Sequence, residues 1–134
     1  MNTNLVAGSL KQMGININTV PVLDMPSLTE SGVIGDRAYS SNKKIITEIA
    51  KIVLDTNCTN GIASVIKHIP GHGRATVDSH VDLPVISDEK DLLEQQDFMT
   101  FTNLNKAPIA MTAHAIYSGY DEKNVATLSK KIIC

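Results

Sequence analysis

Three of the four histidines of this chain fall within thirteen residues, in a segment that also carries lysine, arginine and aspartate. The segment reads Lys67-His-Ile-Pro-Gly-His-Gly-Arg-Ala-Thr-Val-Asp-Ser-His80. Asp78 and His80 are two residues apart, so their side chains lie on the same side of an extended loop. A carboxylate beside an imidazole fixes the tautomer of the ring, which suits a residue that donates and accepts protons. The spacing therefore indicates acid/base chemistry.

Three interpretations of this segment compete. One is a metal site made of His68, His72, Asp78 and His80. His68 and His72 have the spacing of zinc ligands on a helix, but Pro70-Gly71 between them interrupts any helix, and we expect no metal and no other cofactor. The second is a polar surface loop whose histidines only satisfy backbone groups, which the length and glycine content of the segment disfavour. The third, which we favour, is an acid/base loop over a pocket for a polyol or a sugar.

The elements around this segment alternate between strands and helices. β-branched and apolar runs predict strands near residues 16–23, 62–69 and 108–115, the first broken at Pro21. Strand, loop and helix repeated three times predict parallel strands in an α/β fold. Ligands of such folds meet the carboxyl ends of the strands, where this sequence places Asp24, Lys67-His68 and His114.

Four helical segments are predicted between and around these strands. The first runs from Leu5 to Met13 and is closed by Gly14, and another begins near residue 128. A helix capped by Ser41 or Asn42 has an apolar face made of Ile45, Ile46, Ile49 and Val53. A helix capped by Ser87 or Asp88 carries Leu92, Leu93 and Met99.

Composition excludes several classes of partner. The net charge is -2 and aromatic residues make up 4% of the chain, so we expect no nucleic-acid partner. The longest apolar runs are far shorter than the roughly 20 residues of a membrane span, and no leader peptide is recognisable, so we expect no membrane partner and a cytoplasmic location. Cys58 and Cys134 lack metal-site spacing; we expect Cys58 in the core and Cys134 to be a terminal thiol.

The segment Lys-His-x-Pro-Gly-His-Gly followed by Asp-Ser-His resembles the signature of the family 3 β-N-acetylglucosaminidases, glycoside hydrolases that include enzymes of peptidoglycan recycling. Other landmarks resemble the same family in order and spacing, from about Leu5 to Ile133. They are Gly14–Asp24, Ile34-Gly-Asp-Arg37, Met111-Thr-Ala-His114 and Ala126-Thr-Leu-Ser129.

The resemblance implies roles for individual residues. Arg37, Lys67 and His68 match the residues that hold the non-reducing N-acetylglucosamine. His80 matches the acid/base that protonates the glycosidic oxygen, and Asp78 matches its orienting partner. Three further residues match positions near the pocket, where a structural role and ligand contact are both open: Asp24, His72 and His114.

The resemblance also implies that residues 1–134 are the central fragment of a (β/α)8 barrel, about three βα units long. A retaining glycosidase needs a carboxylate nucleophile, which in this family lies on a later strand. We therefore expect the isolated chain to be inactive, as the product of a split gene, as one part of an enzyme whose remainder is encoded separately, or as a non-catalytic carbohydrate-binding fragment. The expected substrate is a muropeptide that contains N-acetylglucosamine, with the β-glucosidases of the same family as the alternative.

Overall fold

The computed structural model describes residues 2–26 and 32–133. The helices are α1 Thr3–Gln12, α2 Lys43–Thr59, α3 Lys90–Gln95, α4 Asp97–Thr102 and α5 Lys130–Ile133. The strands are β1 Ile17–Asn18, β2 Ala63–Ile69, β3 Val85–Ile86, β4 Ile109–Thr112, β5 Ile116–Tyr117 and β6 Asp121–Val125. Single turns of 3-10 helix occur at Gly35–Arg37 and Ala126–Leu128.

The central sheet has the order β1-β2-β4, and every pair in it is parallel. This confirms the α/β class and the three predicted strands. β1 is shorter than predicted, because Pro21 has no N–H to donate to the ladder. Pairing resumes at Val22, which forms an isolated parallel bridge with Lys67.

Helix α2 begins where the sequence predicts, since the Asn42 side chain accepts a hydrogen bond from the Lys44 N–H at 2.9 Å. Its buried face is shifted from the predicted one. Ile46, Ala50 and Val53 are buried, whereas Ile45 is 47% exposed, so the prediction for Ile45 is wrong. Adjacent helical positions point about 100° apart, and the core covers only one of the two.

The helix predicted after residue 88 is two short helices, α3 and α4, which meet at Gln96. Leu93 is buried, but Leu92 and Met99 are exposed, so only part of the predicted apolar face is correct. The predicted caps are also wrong. Glu89 stands at the N-cap of α3 and makes no capping bond, and the Asp88 side chain binds Arg74 instead.

A second sheet, β3-β5-β6, was not predicted. β3 and β5 are parallel, and β5 and β6 form an antiparallel pair. This sheet covers a core cluster made of Ala75, Ile86, Leu93, Ala113, Ala115, Tyr117 and Ala126. Two strands of two residues each give too short a pattern for the sequence to reveal.

Three further expectations concern the surface. Cys58 is exposed on α2 rather than part of the core, because it points about 100° away from its buried neighbour Asn57. Cys134 lies outside the described residues. No helix within the described ranges combines the length and the apolar character needed to cross a lipid bilayer.

The central sheet has two open edges, β1 and β4. Apolar side chains are exposed at both, with Ile17 50% exposed on β1 and Met111 40% exposed on β4. An unpaired strand edge presents free N–H and C=O groups to any further strand.

Candidate active site

A cavity of about 200 Å³ lies at the carboxyl ends of β2 and β4. Its ionisable lining residues are Arg37, His68, His72, Asp78, His80 and His114. A larger groove of about 750 Å³ lies at the amino ends of the same strands, lined by Cys58, Ile62 and Asn103 among others, but none of its described lining residues is a histidine. The smaller cavity is therefore the candidate active site.

Asp24 fixes the floor of this cavity. Its carboxylate is 1% exposed and accepts hydrogen bonds from the backbone N–H groups of His68 at 3.2 Å and His72 at 2.7 Å. It also lies 2.6 Å from His68 Nδ1. A buried carboxylate with this many donors is satisfied, and it leaves His68 Nε2 as the ring atom available to a ligand. Asp24 thus acts on the cavity through His68.

His72 is buried beside His68, with ring centroids 5.6 Å apart in an edge-to-face arrangement. Burial lowers the pKa of His72, and the nearby charge of Asp24 only partly opposes this. Its Nδ1 has no hydrogen-bond partner among the described residues. His72 is therefore a neutral, packed ring at the base of the cavity.

Two cations stand at the same end of the sheet. Partial burial lowers the pKa of Lys67, and the positive charge of Arg37 lowers it further, against the opposing effect of Asp24. The Arg37 guanidinium donates to the carbonyls of Val33 at 2.9 Å and Ile34 at 3.3 Å. Within the described ranges it forms no ion pair with Asp36 or any other acid. Arg37 is therefore held by its own loop, with donors left for a ligand.

Asp78 and His80 form a pair at the rim. His80 Nδ1 lies 2.6 Å from Asp78 Oδ1, and the His80 backbone N–H donates to the same oxygen at 2.9 Å. These two bonds lower the pKa of Asp78. The His80 side chain is 89% exposed, so the pair stands open to solvent and to the cavity. The expected juxtaposition of carboxylate and imidazole is present in the structure.

The segment that carries this pair, residues 75–87, is here named the dyad loop. The residues that lead into this loop are tightly packed. The Tyr117 hydroxyl donates a hydrogen bond to the Gly71 carbonyl at 2.7 Å. A Cβ added to Gly73 would lie 1.5 Å from the Met25 carbonyl oxygen. Only glycine fits at residue 73. The role of Tyr117 is not predictable from the sequence, because nothing near it indicates a partner 46 residues away.

The structure thus brings six of the eight predicted site residues to one cavity. Asp24 lies behind it, and Lys67 points beside it, donating to Thr19 Oγ1 at 3.3 Å. Within residues 2–26 and 32–133, no three His, Cys, Asp or Glu side chains are grouped so that they could hold a metal ion.

Comparison with known proteins places this arrangement in context. The sequence profile of the glycosyl hydrolase family 3 N-terminal domain matches residues 2–134. A β-hexosaminidase of Methylobacillus flagellatus is 40% identical over 121 residues, which are 89% of this chain and 34% of that protein.

Two solved structures share the fold. A family 3 β-N-acetylglucosaminidase from Paenibacillus sp. superimposes with a TM-score of 0.90 at 29% identity, over 98% of this chain and 26% of its own. NagZ from Neisseria gonorrhoeae in complex with N-trifluoroacetyl-D-glucosamine gives 0.85 at 28% identity, over 97% of this chain and 38% of its own. The chain thus spans between about a quarter and two fifths of the length of these relatives.

Proposed function

Because this chain belongs to glycosyl hydrolase family 3, we propose that its cavity is part of an active site that removes terminal β-linked N-acetylglucosamine from cell-wall muropeptides in the cytoplasm. The observation that carries the proposal is the Asp78–His80 pair on the rim of a cavity that Arg37 and His68 also line. Residues 1–134 would then be the central part of the catalytic barrel.

In this proposal His80 is the general acid and base. Asp78 Oδ1 accepts from Nδ1–H, so His80 Nε2 is the atom that exchanges a proton with the glycosidic oxygen. A positioned acid of this kind contributes about 10²–10⁴-fold to the rate. Water reaches the pair freely, which lets the same imidazole activate the water that later releases the sugar.

Arg37, Lys67 and His68 hold the sugar in this proposal. All three are polar donors at one end of the sheet, and each can donate a hydrogen bond to a hydroxyl or carbonyl oxygen of a sugar. N-acetylglucosamine offers both kinds of acceptor, and the ligand of the N. gonorrhoeae NagZ structure is a close analogue of it. Glucose, the sugar of the alternative β-glucosidase function, lacks the acetamido carbonyl.

The attacking carboxylate is assigned to the rest of the barrel. Asp24 is buried and its oxygens are occupied by His68 and His72, while Asp78 is engaged with His80. Neither is placed to attack an anomeric carbon. The remaining strands, in the same polypeptide or encoded separately, would join the open edges β1 and β4.

Turnover of an alkyl β-N-acetylglucosaminide, whose poor leaving group needs protonation, tests this proposal. We expect no turnover from the purified 134-residue chain, and turnover when it is completed by the missing barrel segments of a family 3 relative. His80→Ala in the completed protein separates genuine turnover from a contaminating hydrolase. Turnover by the 134-residue chain alone that His80→Ala abolishes would place the nucleophile within these residues.

A non-catalytic sugar-binding function is the second candidate, favoured by the presence of the three sugar-holding residues without an available nucleophile. Titration of the chain with N-acetylglucosamine, followed by NMR at the amides of residues 67–69, 71 and 72, tests it. We expect Arg37→Ala to weaken the binding and Lys51→Ala, on the exposed face of α2, to leave it unchanged. Binding by a completed barrel that shows no turnover would favour this second function.

A further inference from the structure

The dyad loop leaves the core at one buried residue and returns to it at another. Ala75 is 1% exposed and Ile86 is 1% exposed, and both belong to the same core cluster. Between them Asp78 and His80 stand exposed, so packing alone fixes only the two ends of the loop. Some further contact has to set how the loop lies over the cavity.

Arg74, one residue before the loop, supplies that contact. Its Nη1 donates to Asp88 Oδ1 at 3.0 Å, and Asp88 follows the loop directly. The same guanidinium donates through Nε to Asp97 Oδ2 at 2.7 Å, at the start of α4. One side chain therefore ties together the two ends of the dyad loop and fastens both to a helix.

We propose that Arg74 and Asp88 are positioning residues, which close the base of the dyad loop and hold the Asp78–His80 pair over the cavity. The effect on catalysis rests on the proposed function, whereas the effect on loop order rests on the geometry alone.

Asp97 is the buried carboxylate that anchors the Arg74 side chain. Its carboxylate is 1% exposed, and its Oδ1 has no partner among the described residues, so the bond from Arg74 is its main compensation. Gly71 packs against it so closely that a Cβ there would lie 2.8 Å from Asp97 Cβ. Burial disfavours the charge of Arg74, but the hydrogen bond and the charge of Asp97 outweigh it, and the pKa of Arg74 is raised. The guanidinium is therefore positively charged at neutral pH.

Asp88 is the partner that can be removed cleanly. Its side chain is 32% exposed, so its loss leaves no buried charge, and the Arg74–Asp97 pair stays intact. Asp88→Ala therefore removes the link between the two ends of the loop, while Ile86 stays anchored in the core and β3 stays paired with β5. Asp88→Glu keeps the carboxylate and serves as the rescue variant. Asp91→Ala removes another exposed acid, three residues further on, which forms no ion pair among the described residues, and serves as the matched control.

Amide hydrogen exchange of the 134-residue chain measures the position of the loop. The Val81 and Asp82 amides donate to the Asp78 carbonyl, so their protection reports loop order. In Asp88→Ala we expect them to exchange about two- to fivefold faster, with amides of α2 unchanged. Asp88→Glu should restore most of the protection, and Asp91→Ala should not change it. Unchanged exchange in Asp88→Ala, or the same acceleration throughout α2 and β2, would overturn the proposal.

The effect of Arg74 and Asp88 on catalysis is measured in the completed barrel. Asp88→Ala should lower kcat about two- to tenfold for a glycoside with a poor leaving group and leave KM unchanged, because a displaced acid slows protonation without weakening sugar binding. A rise in KM at constant kcat would contradict a positioning role. If the completed barrel shows no turnover at all, the proposed function fails, and the exchange result still decides whether the link orders the loop.

Discussion

The Asp24 carboxylate accepts hydrogen bonds from both the ring and the main chain of His68, a residue 44 positions away in the sequence. It therefore links the segment that follows β1 to the carboxyl end of β2. In Asp24→Asn, an NH2 group replaces one carboxylate oxygen. This group cannot accept a hydrogen bond from the donors of His68 and His72, so the free energy of unfolding should fall by about 2–4 kcal/mol. Urea unfolding measures this. Asp36→Asn, at an exposed position, should stay within about 0.5 kcal/mol of the parent chain; equal losses for both variants would contradict the role of Asp24.

Gly73→Ala should be severely destabilising. The added Cβ would stand 1.5 Å from the Met25 carbonyl oxygen, which belongs to the backbone and cannot rotate away. We expect a loss of about 2–4 kcal/mol in the free energy of unfolding, comparable to other overpacked core positions. Gly8→Ala is the matched control, because nothing lies within 4 Å of the Cβ that the substitution adds, and the position is inside α1. That variant should gain about 0.5–1 kcal/mol from helix propensity, and a similar effect of both would rule out the steric explanation.

Acid should destabilise the chain through His72. Burial lowers its pKa in the folded state, so the unfolded state binds a proton first as the pH falls below about 6.5. Stability is therefore fully present above that pH and is lost as the pH falls toward the lowered pKa, by at most about 1.4 kcal/mol per pH unit. Urea midpoints at neutral and mildly acidic pH measure the slope. His72→Gln should flatten it, and a slope that survives this substitution would have to come from other groups.

His80→Ala should separate two kinds of substrate in the completed barrel. A glycoside with a poor leaving group needs protonation and should lose about 10²–10⁴-fold in kcat/KM. An activated aryl glycoside needs little protonation and should lose much less, so it serves as the control within the same protein. Equal losses on both substrates would exclude His80 as the general acid.

The central strands and the polar residues at their carboxyl ends could be predicted from the sequence because both depend on local signals, whereas Arg37 was implied only by the family resemblance. β-branched runs mark Ala63–Ile69, and polar residues at strand ends are brought together by any parallel sheet. The break at Gln96 and the sheet built around Tyr117 could not be predicted, since each depends on which surface the segment meets after folding. The same holds for Arg74, whose two partners lie 14 and 23 residues away and carry no local mark.

The bonds that Asp24 and Tyr117 make at the cavity floor join segments that are distant in the chain. Asp24 reaches His72 across 48 residues, and Tyr117 reaches Gly71 across 46. Contacts of such range form only after long loops have closed, which delays them relative to helices. During synthesis, the Asp24 contacts can form once residues 63–72 have emerged from the ribosome. The Gly71 carbonyl can accept its hydrogen bond only after Tyr117, which is synthesised much later, has also emerged. The side of the cavity that Asp24 organises should therefore form before the side that leads to Asp78 and His80.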